Sequence, residues 1–270
     1  MENKDIASLL QWYLDSGVDE TTDDETLDWF ALSPRPASKN ASSSNSPTSN
    51  FPTANLAAAK AAAAISVEQI AKKAEQLASG CNNLSELNEV IKSFEDCRLK
   101  KTATHTVFAD GNPDSNIMII GEAPGVDEDR QGIPFVGENG MLLDKMFKAI
   151  GLNREQHIYI TNILPWRPPG NRIPTDEETS ICLPFIKRHI ELFNPKLIIL
   201  LGGISAKSLL KTDMGITRLR GKWKEYDLKE SQVPVMPLFH PQYLLKQPKA
   251  KKDTWADLLD IKARIEELSL

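Results

Sequence analysis

Residues 117–137 read IMIIGEAPGVDEDRQGIPFVG. An unbroken apolar run, isoleucine but for one methionine, enters Gly121 and then a turn crowded with glycine, proline and acid. A short apolar run bounded by turn residues predicts a strand buried on both faces. HIYITNIL (157–164), KLIILLGG (196–203) and VPVMPLFH (233–240) repeat the pattern. Helical stretches lie between them. NGMLLDKMFKAIG (139–151) sets Leu142, Leu143, Met146, Phe147 and Ile150 on one face and stops at Gly151. TDEETSICLPFIKRHIELFNP (175–195) opens with Thr175 and Glu178 in capping-box register and stops at Asn194-Pro195, with a bend expected at Pro184. GISAKSLLK (203–211) and DTWADLLDIKARIEELSL (253–270) follow. This alternation predicts an α/β fold, a three-layer α/β/α sandwich around a short, mostly parallel four-stranded sheet.

Upstream the character changes. DIASLLQWYLDS (5–16) spaces Ile6, Leu9, Leu10 and Tyr13 as a short amphipathic helix, followed by an acidic stretch at 19–28. Residues 31–55 are rich in Ser, Pro and Asn and hold too little apolar surface to fold, which predicts a disordered linker. The alanine-rich stretch after it favours helix up to Gly80. The expected organisation is therefore a helix and acidic arm (1–30), a linker (31–55), a helical extension (56–96) and a catalytic domain (97–270).

With 41% hydrophobic and 26% charged residues, the chain has the composition of a soluble globular protein. No run approaches the roughly 20 apolar residues needed to cross a bilayer, and Cys81, Cys97 and Cys182 are too few for a disulfide framework. A cytoplasmic location and no membrane partner are expected. The net charge of −5 is concentrated at the start, where residues 1–60 hold nine acids against four bases. The remainder is balanced, so the overall charge does not exclude nucleic acid. Local clusters decide that.

In open parallel sheets, ligands bind beyond the carboxyl ends of the strands. Those ends deliver Glu122, Asn162, Gly202-Gly203 and His240. An acid, an amide and an imidazole from three strands thus face one crevice. GEAPG lacks the Gly-Lys-Ser/Thr ending of a phosphate loop and the GxGxxG dinucleotide pattern, and its acids would repel a phosphate. They suit a developing cation or a positioned water. Phe135, on a turn with no evident core face, offers a π surface to a planar base. Arg167 and Arg172 around Pro168-Pro169, then Arg218, Arg220, Lys222 and Lys224, then Lys246, Lys249, Lys251 and Lys252 suggest a phosphate track. The apolar Leu244-Leu245 amid the last cluster could wedge into a duplex.

From about Cys97 onward, GEAPGVDED, GIPFVGENG, TNILPWRPPGNR, LRGKW and HPQYLLKQP, in this order, resemble the family-4 uracil-DNA glycosylases. The resemblance implies hydrolysis of the N-glycosidic bond of a uracil flipped out of DNA, leaving an abasic site for base excision repair. It implies that Glu122 orders water and stabilises the sugar cation, Glu128 walls the base near C5, and His240 donates to uracil O2. Gly121, Ala123, Phe135, Asn162 and Asn171 would bind the base. Arg167, Pro168, Pro169, Arg172, Arg220, Leu244, Leu245 and Lys246 would hold the DNA. The expected partners are uracil-containing DNA, with the protein nucleoid-associated when acting, and a repair or replication protein bound through the N-terminal arm. The expected state is a monomer.

The resemblance also implies a [4Fe–4S] cluster on four cysteines. Here Cys97 and Cys182 match two of those positions, while Phe94 and Trp166 occupy the others, and neither ring can replace a thiolate. No cofactor or metal is therefore expected. Two alternatives stay open: a glycosylase for another deaminated base such as hypoxanthine or xanthine, and a catalytically weak DNA-binding adaptor.

Overall fold

The computed structural model describes residues 67–229 and 231–270. The expected N-terminal helix, acidic arm and linker lie outside the described residues. A helix through residues 67–79 (α1) precedes α2 (Leu84–Ser93), β1 (Ala109–Gly111), β2 (Ile117–Gly121), α3 (Val126–Gln131) and α4 (Glu138–Ala149). Next come β3 (Ile158–Asn162), α5 (Asp176–Phe193), β4 (Leu197–Leu201), α6 (Gly203–Leu210) and α7 (Ile216–Leu219). β5 (Lys224–Asp227), β6 (Gln232–Leu238), α8 (Pro241–Lys246) and α9 (Lys251–Leu268) complete the chain.

All four expected strands form, and they are mutually parallel in the order β3-β2-β4-β6. The sheet nevertheless has six strands, because β1 and β5 pair antiparallel on its two edges. The expectation of four missed them for a physical reason. β1 is the tripeptide ADG, and β5 is KEYD, half-exposed along its length. Edge strands facing water need no apolar run, so they leave none in the sequence.

Every residue of β2, β3 and β4 is buried. The two-residue period of a strand sends their side chains alternately into two cores. Met118 and Ile120 join one core with Leu87 and Ile91 of α2 and Ile186 and Ile190 of α5. Ile117 and Ile119 join the other with Leu143 and Phe147 of α4 and Leu258 and Ile261 of α9. Ala74 and Ala78 of α1 lie in the first core as well, so these N-terminal helices are built into the same packing.

The capping box at the start of α5 forms: Thr175 Oγ1 accepts from Glu178 N, and the Glu178 side chain accepts from Thr175 N. The helix runs on through Pro184 and closes on Asn194 in the left-handed region. Within the first core the His189 ring stacks on Phe108 at 4.4 Å, and its Nε2 pairs with the Tyr159 hydroxyl at 2.9 Å. Full burial pushes this imidazole down to about 3, so it is neutral in the folded protein. Among the described residues no helix is long and apolar enough to cross a membrane.

Candidate active site at the carboxyl edge of the sheet

β2, β3, β4 and β6 end at one edge, and a small pocket opens there. It is lined by Ala123, Gly125, Glu128, Phe135, Asn139, Asn162 and His240. Asn162 is the last residue of β3 and 5% exposed. Its Oδ1 is buried and accepts no hydrogen bond. Leaving a buried acceptor unpaired costs about 1–3 kcal/mol, so this oxygen is a site for a donor that the described residues do not supply.

Phe135 lies in the turn between α3 and α4 with φ of 54°, a left-handed conformation that is strained for an aromatic residue. Gly121 makes room for it: a Cβ there would stand 2.5 Å from the Phe135 ring and 2.4 Å from Asn162 Oδ1. Arg154 holds the turn in place. It donates to the carbonyls of Pro134 and Phe135 and pairs with Asp110 and Asp144. Nothing in the sequence singled out Arg154, because its partners lie 10 to 44 residues away.

His240 stands at the N-cap of α8, and its ring centre is 5.7 Å from that of Phe135. Its Nδ1 accepts from Gln242 N at 3.2 Å. A neutral imidazole that accepts at Nδ1 carries its proton on Nε2. Burial depresses the ring to about 4, so this neutral tautomer persists well below neutral pH. The site therefore holds an Nε2–H donor, an orphan amide acceptor and an aromatic face.

The two acids expected to be catalytic are placed differently. Glu122 is not among the pocket-lining residues. Its carboxylate turns towards the start of α6, where Oε1 accepts from Ile204 N at 3.1 Å. The close approach requires Gly202, since a Cβ there would stand 2.2 Å from Glu122 Oε1. Burial raises the Glu122 pKa, partly offset by the N–H groups of Ile204 and Gly203.

Glu128 does line the pocket, but its oxygens accept from Gly125 N, Val136 N and Gly137 N, each at 3.0 Å. It splices the GEAPG turn to the Phe135 turn. Both acids thus accept from backbone N–H groups in this structure.

Four further expected site residues are placed as follows. Asn171 is exposed on the loop after β3, outside the pocket lining, and accepts from Arg167 Nε at 2.6 Å. Arg172 pairs with Glu178, and Arg220 pairs with Asp257 while its guanidinium lies over Phe239. Both guanidiniums thus have protein partners where phosphate contacts were expected. Leu244, expected at an exposed tip, is 1% exposed and lines an apolar cavity with Leu142, Met146 and Leu258. Asn139, which does line the pocket, was read only as the start of a helix.

A model of the uracil DNA glycosylase superfamily matches residues 108–259. The chain belongs to that superfamily. It is 40% identical over 177 residues to the type-4 uracil-DNA glycosylase of Sulfurisphaera tokodaii, covering 63% of this chain and 80% of the relative. It is 37% identical over 185 residues to the type-4 enzyme of Archaeoglobus fulgidus, covering 66% and 92% respectively.

The family-4 resemblance implied an iron–sulfur cluster, and the residues present do not fit one. Cys97 and Cys182 are both fully buried, and burial together with the neighbouring Cys97 thiol pushes the Cys182 thiol well above its usual range. Phe94 packs edge-on against Phe185 with centroids 5.0 Å apart. Trp166 is fully buried and donates from Nε1 to Thr106 Oγ1 at 3.0 Å. Cys81 donates to Leu77 O at 3.4 Å within its own helix turn. Among the described residues no group of three or more His, Cys, Asp or Glu is arranged to hold a metal ion.

Proposed function

We propose that this protein is a monofunctional uracil-DNA glycosylase that flips uracil out of DNA and hydrolyses its N-glycosidic bond, leaving an abasic site. The unpaired, buried Oδ1 of Asn162 carries the reading. Uracil offers a donor at N3–H and an acceptor at O4, so the Asn162 amide can accept from the first and donate to the second. Cytosine presents the opposite pair. Phe135 stacks on the base, and Nε2–H of His240 donates to O2.

When the bond breaks, its electron pair moves to N1 and spreads to O2. A donor aimed there lowers the barrier without having to give up its proton. The sugar becomes oxocarbenium-like, and water adds at C1′. No lysine lines the pocket among the described residues, which favours water over imine formation as the route. Glu128 and Arg154 act by fixing the two turns that carry the base-binding groups. Glu122 fixes the start of α6.

A uracil-containing oligonucleotide tests the proposal. Abasic product is expected, and none at enzyme excess would end the reading. Hypoxanthine and xanthine substrates run beside it separate the other deaminated bases. Asn162→Asp is expected to cut uracil release by roughly 10²-fold and to admit cytosine, because a carboxylate accepts from the cytosine amino group but cannot donate to uracil O4. Unchanged preference for uracil in this variant would show that the amide does not read the base.

The enzyme works without a cluster in this proposal, with Phe94 and Trp166 filling its place. Protein purified anaerobically is expected to lack stoichiometric iron and labile sulfide, and to keep its activity in chelator. Stoichiometric iron would refute this. We further propose that it acts as a monomer on nucleoid DNA in the cytoplasm, and that residues 1–30 recruit a repair or replication protein. Deleting them should then change the set of proteins recovered with it.

A further inference from the structure

We infer that Tyr243 enters the base stack beside the extruded nucleotide, an inference that rests on the glycosylase reading. The leucine expected to do this, Leu244, points inward, and Leu245 is half-buried. Tyr243 instead is 43% exposed on α8, three residues beyond His240, whose carbonyl accepts its backbone N–H at 2.9 Å. The helix that places the O2 donor therefore also places this ring.

Tyr243 is braced from below. Its ring packs on Phe239 with centroids 4.8 Å apart, and the Arg220 guanidinium lies 5.5 Å from the Phe239 ring centre. Arg220 is in turn held by Asp257 and by the carbonyl of Asp253. This explains why an arginine expected to touch phosphate is bound within the protein: the Asp257–Arg220–Phe239 column supports an exposed aromatic.

Extruding a base leaves a gap whose neighbours lose a stacking partner, and an aromatic face replaces that partner irrespective of sequence. A tyrosine has few rotatable bonds to immobilise, so little entropy is lost on contact. Ile173, on the loop after β3, is 78% exposed, more than Tyr243. It has no π face to offer.

The experiment compares wild type, Tyr243→Ala, Tyr243→Phe and Ile173→Ala on uracil in a duplex and in a single strand. A fluorescent adenine analogue beside the uracil reports unstacking. Tyr243→Ala is expected to lose roughly tenfold on the duplex, the scale of one base–aromatic stack, and distinctly less on the single strand. Its flipping signal should fall in step, and Tyr243→Phe should restore both. Equal losses on the two substrates, no loss on the duplex, or the loss appearing in Ile173→Ala instead would overturn this inference alone. Absence of uracil release by wild type from either substrate would overturn the glycosylase reading, and this inference with it.

Discussion

His240→Ala is expected to slow uracil release by roughly 10²–10³-fold, the cost of losing one donor aimed at developing negative charge. DNA binding should change far less, because the ring acts on a charge that appears only as the bond breaks. Single-turnover rates beside a binding titration separate the two, and equal losses would contradict the assignment.

The pH profile gives a second readout. The folded-state value for His240 lies near 4, below the ordinary 6.5. The neutral donor should therefore persist as pH falls from 8 to about 5, and the cleavage rate should show no break at 6.5. Stability behaves differently. His240 and His189, the latter near 3, are neutral in the native state where the unfolded chain already binds protons. Their contribution is complete above about 6.5 and is lost as pH falls towards the folded values, by on the order of 1.4 kcal/mol per pH unit for each ring. Denaturant titrations at intervals between neutral pH and pH 5 should show this decline while the rate of the surviving native enzyme holds.

Glu128→Ala is expected to destabilise the protein by about 3 kcal/mol, because it strips acceptors from three backbone N–H groups that the folded turns keep out of bulk water. Water entering the vacated space offsets part of the cost. The loss should appear in the denaturation midpoint and also in activity, since Glu128 ties the GEAPG turn to the turn that carries Phe135. Glu128→Gln keeps one carbonyl oxygen and should fall between. If Glu128 were instead a free wall against the C5 position of the base, alanine would leave stability unchanged and widen acceptance to thymine. These opposite signatures make the variant decisive.

All four parallel strands were legible, because a strand covered on both faces must be apolar at every position, and that leaves an unbroken run. Glu178 and Thr175 announced their capping box, because its two reciprocal bonds are local. Gly121 and the strand-end residues Asn162 and His240 were legible for a topological reason: parallel strands bring their carboxyl ends to one edge whatever lies between them.

Side-chain direction was not legible. Glu122 and Glu128 looked alike as acids in a glycine turn, yet one caps a helix 82 residues away and the other staples two turns. Arg220 read as a free cation until Asp257, 37 residues further on, was seen to hold it. Leu244 and Tyr243 are neighbours in one short helix, and only the packing of α8 against α4 and α9 decided which of them faces out. The chain by itself determined which residues gather at the sheet edge, because strand–helix alternation makes the apolar strands parallel and parallel strands end at one edge. Tertiary structure alone decided which of them are free to act, because a polar group is committed or available according to partners far away in the chain, and no local pattern records those.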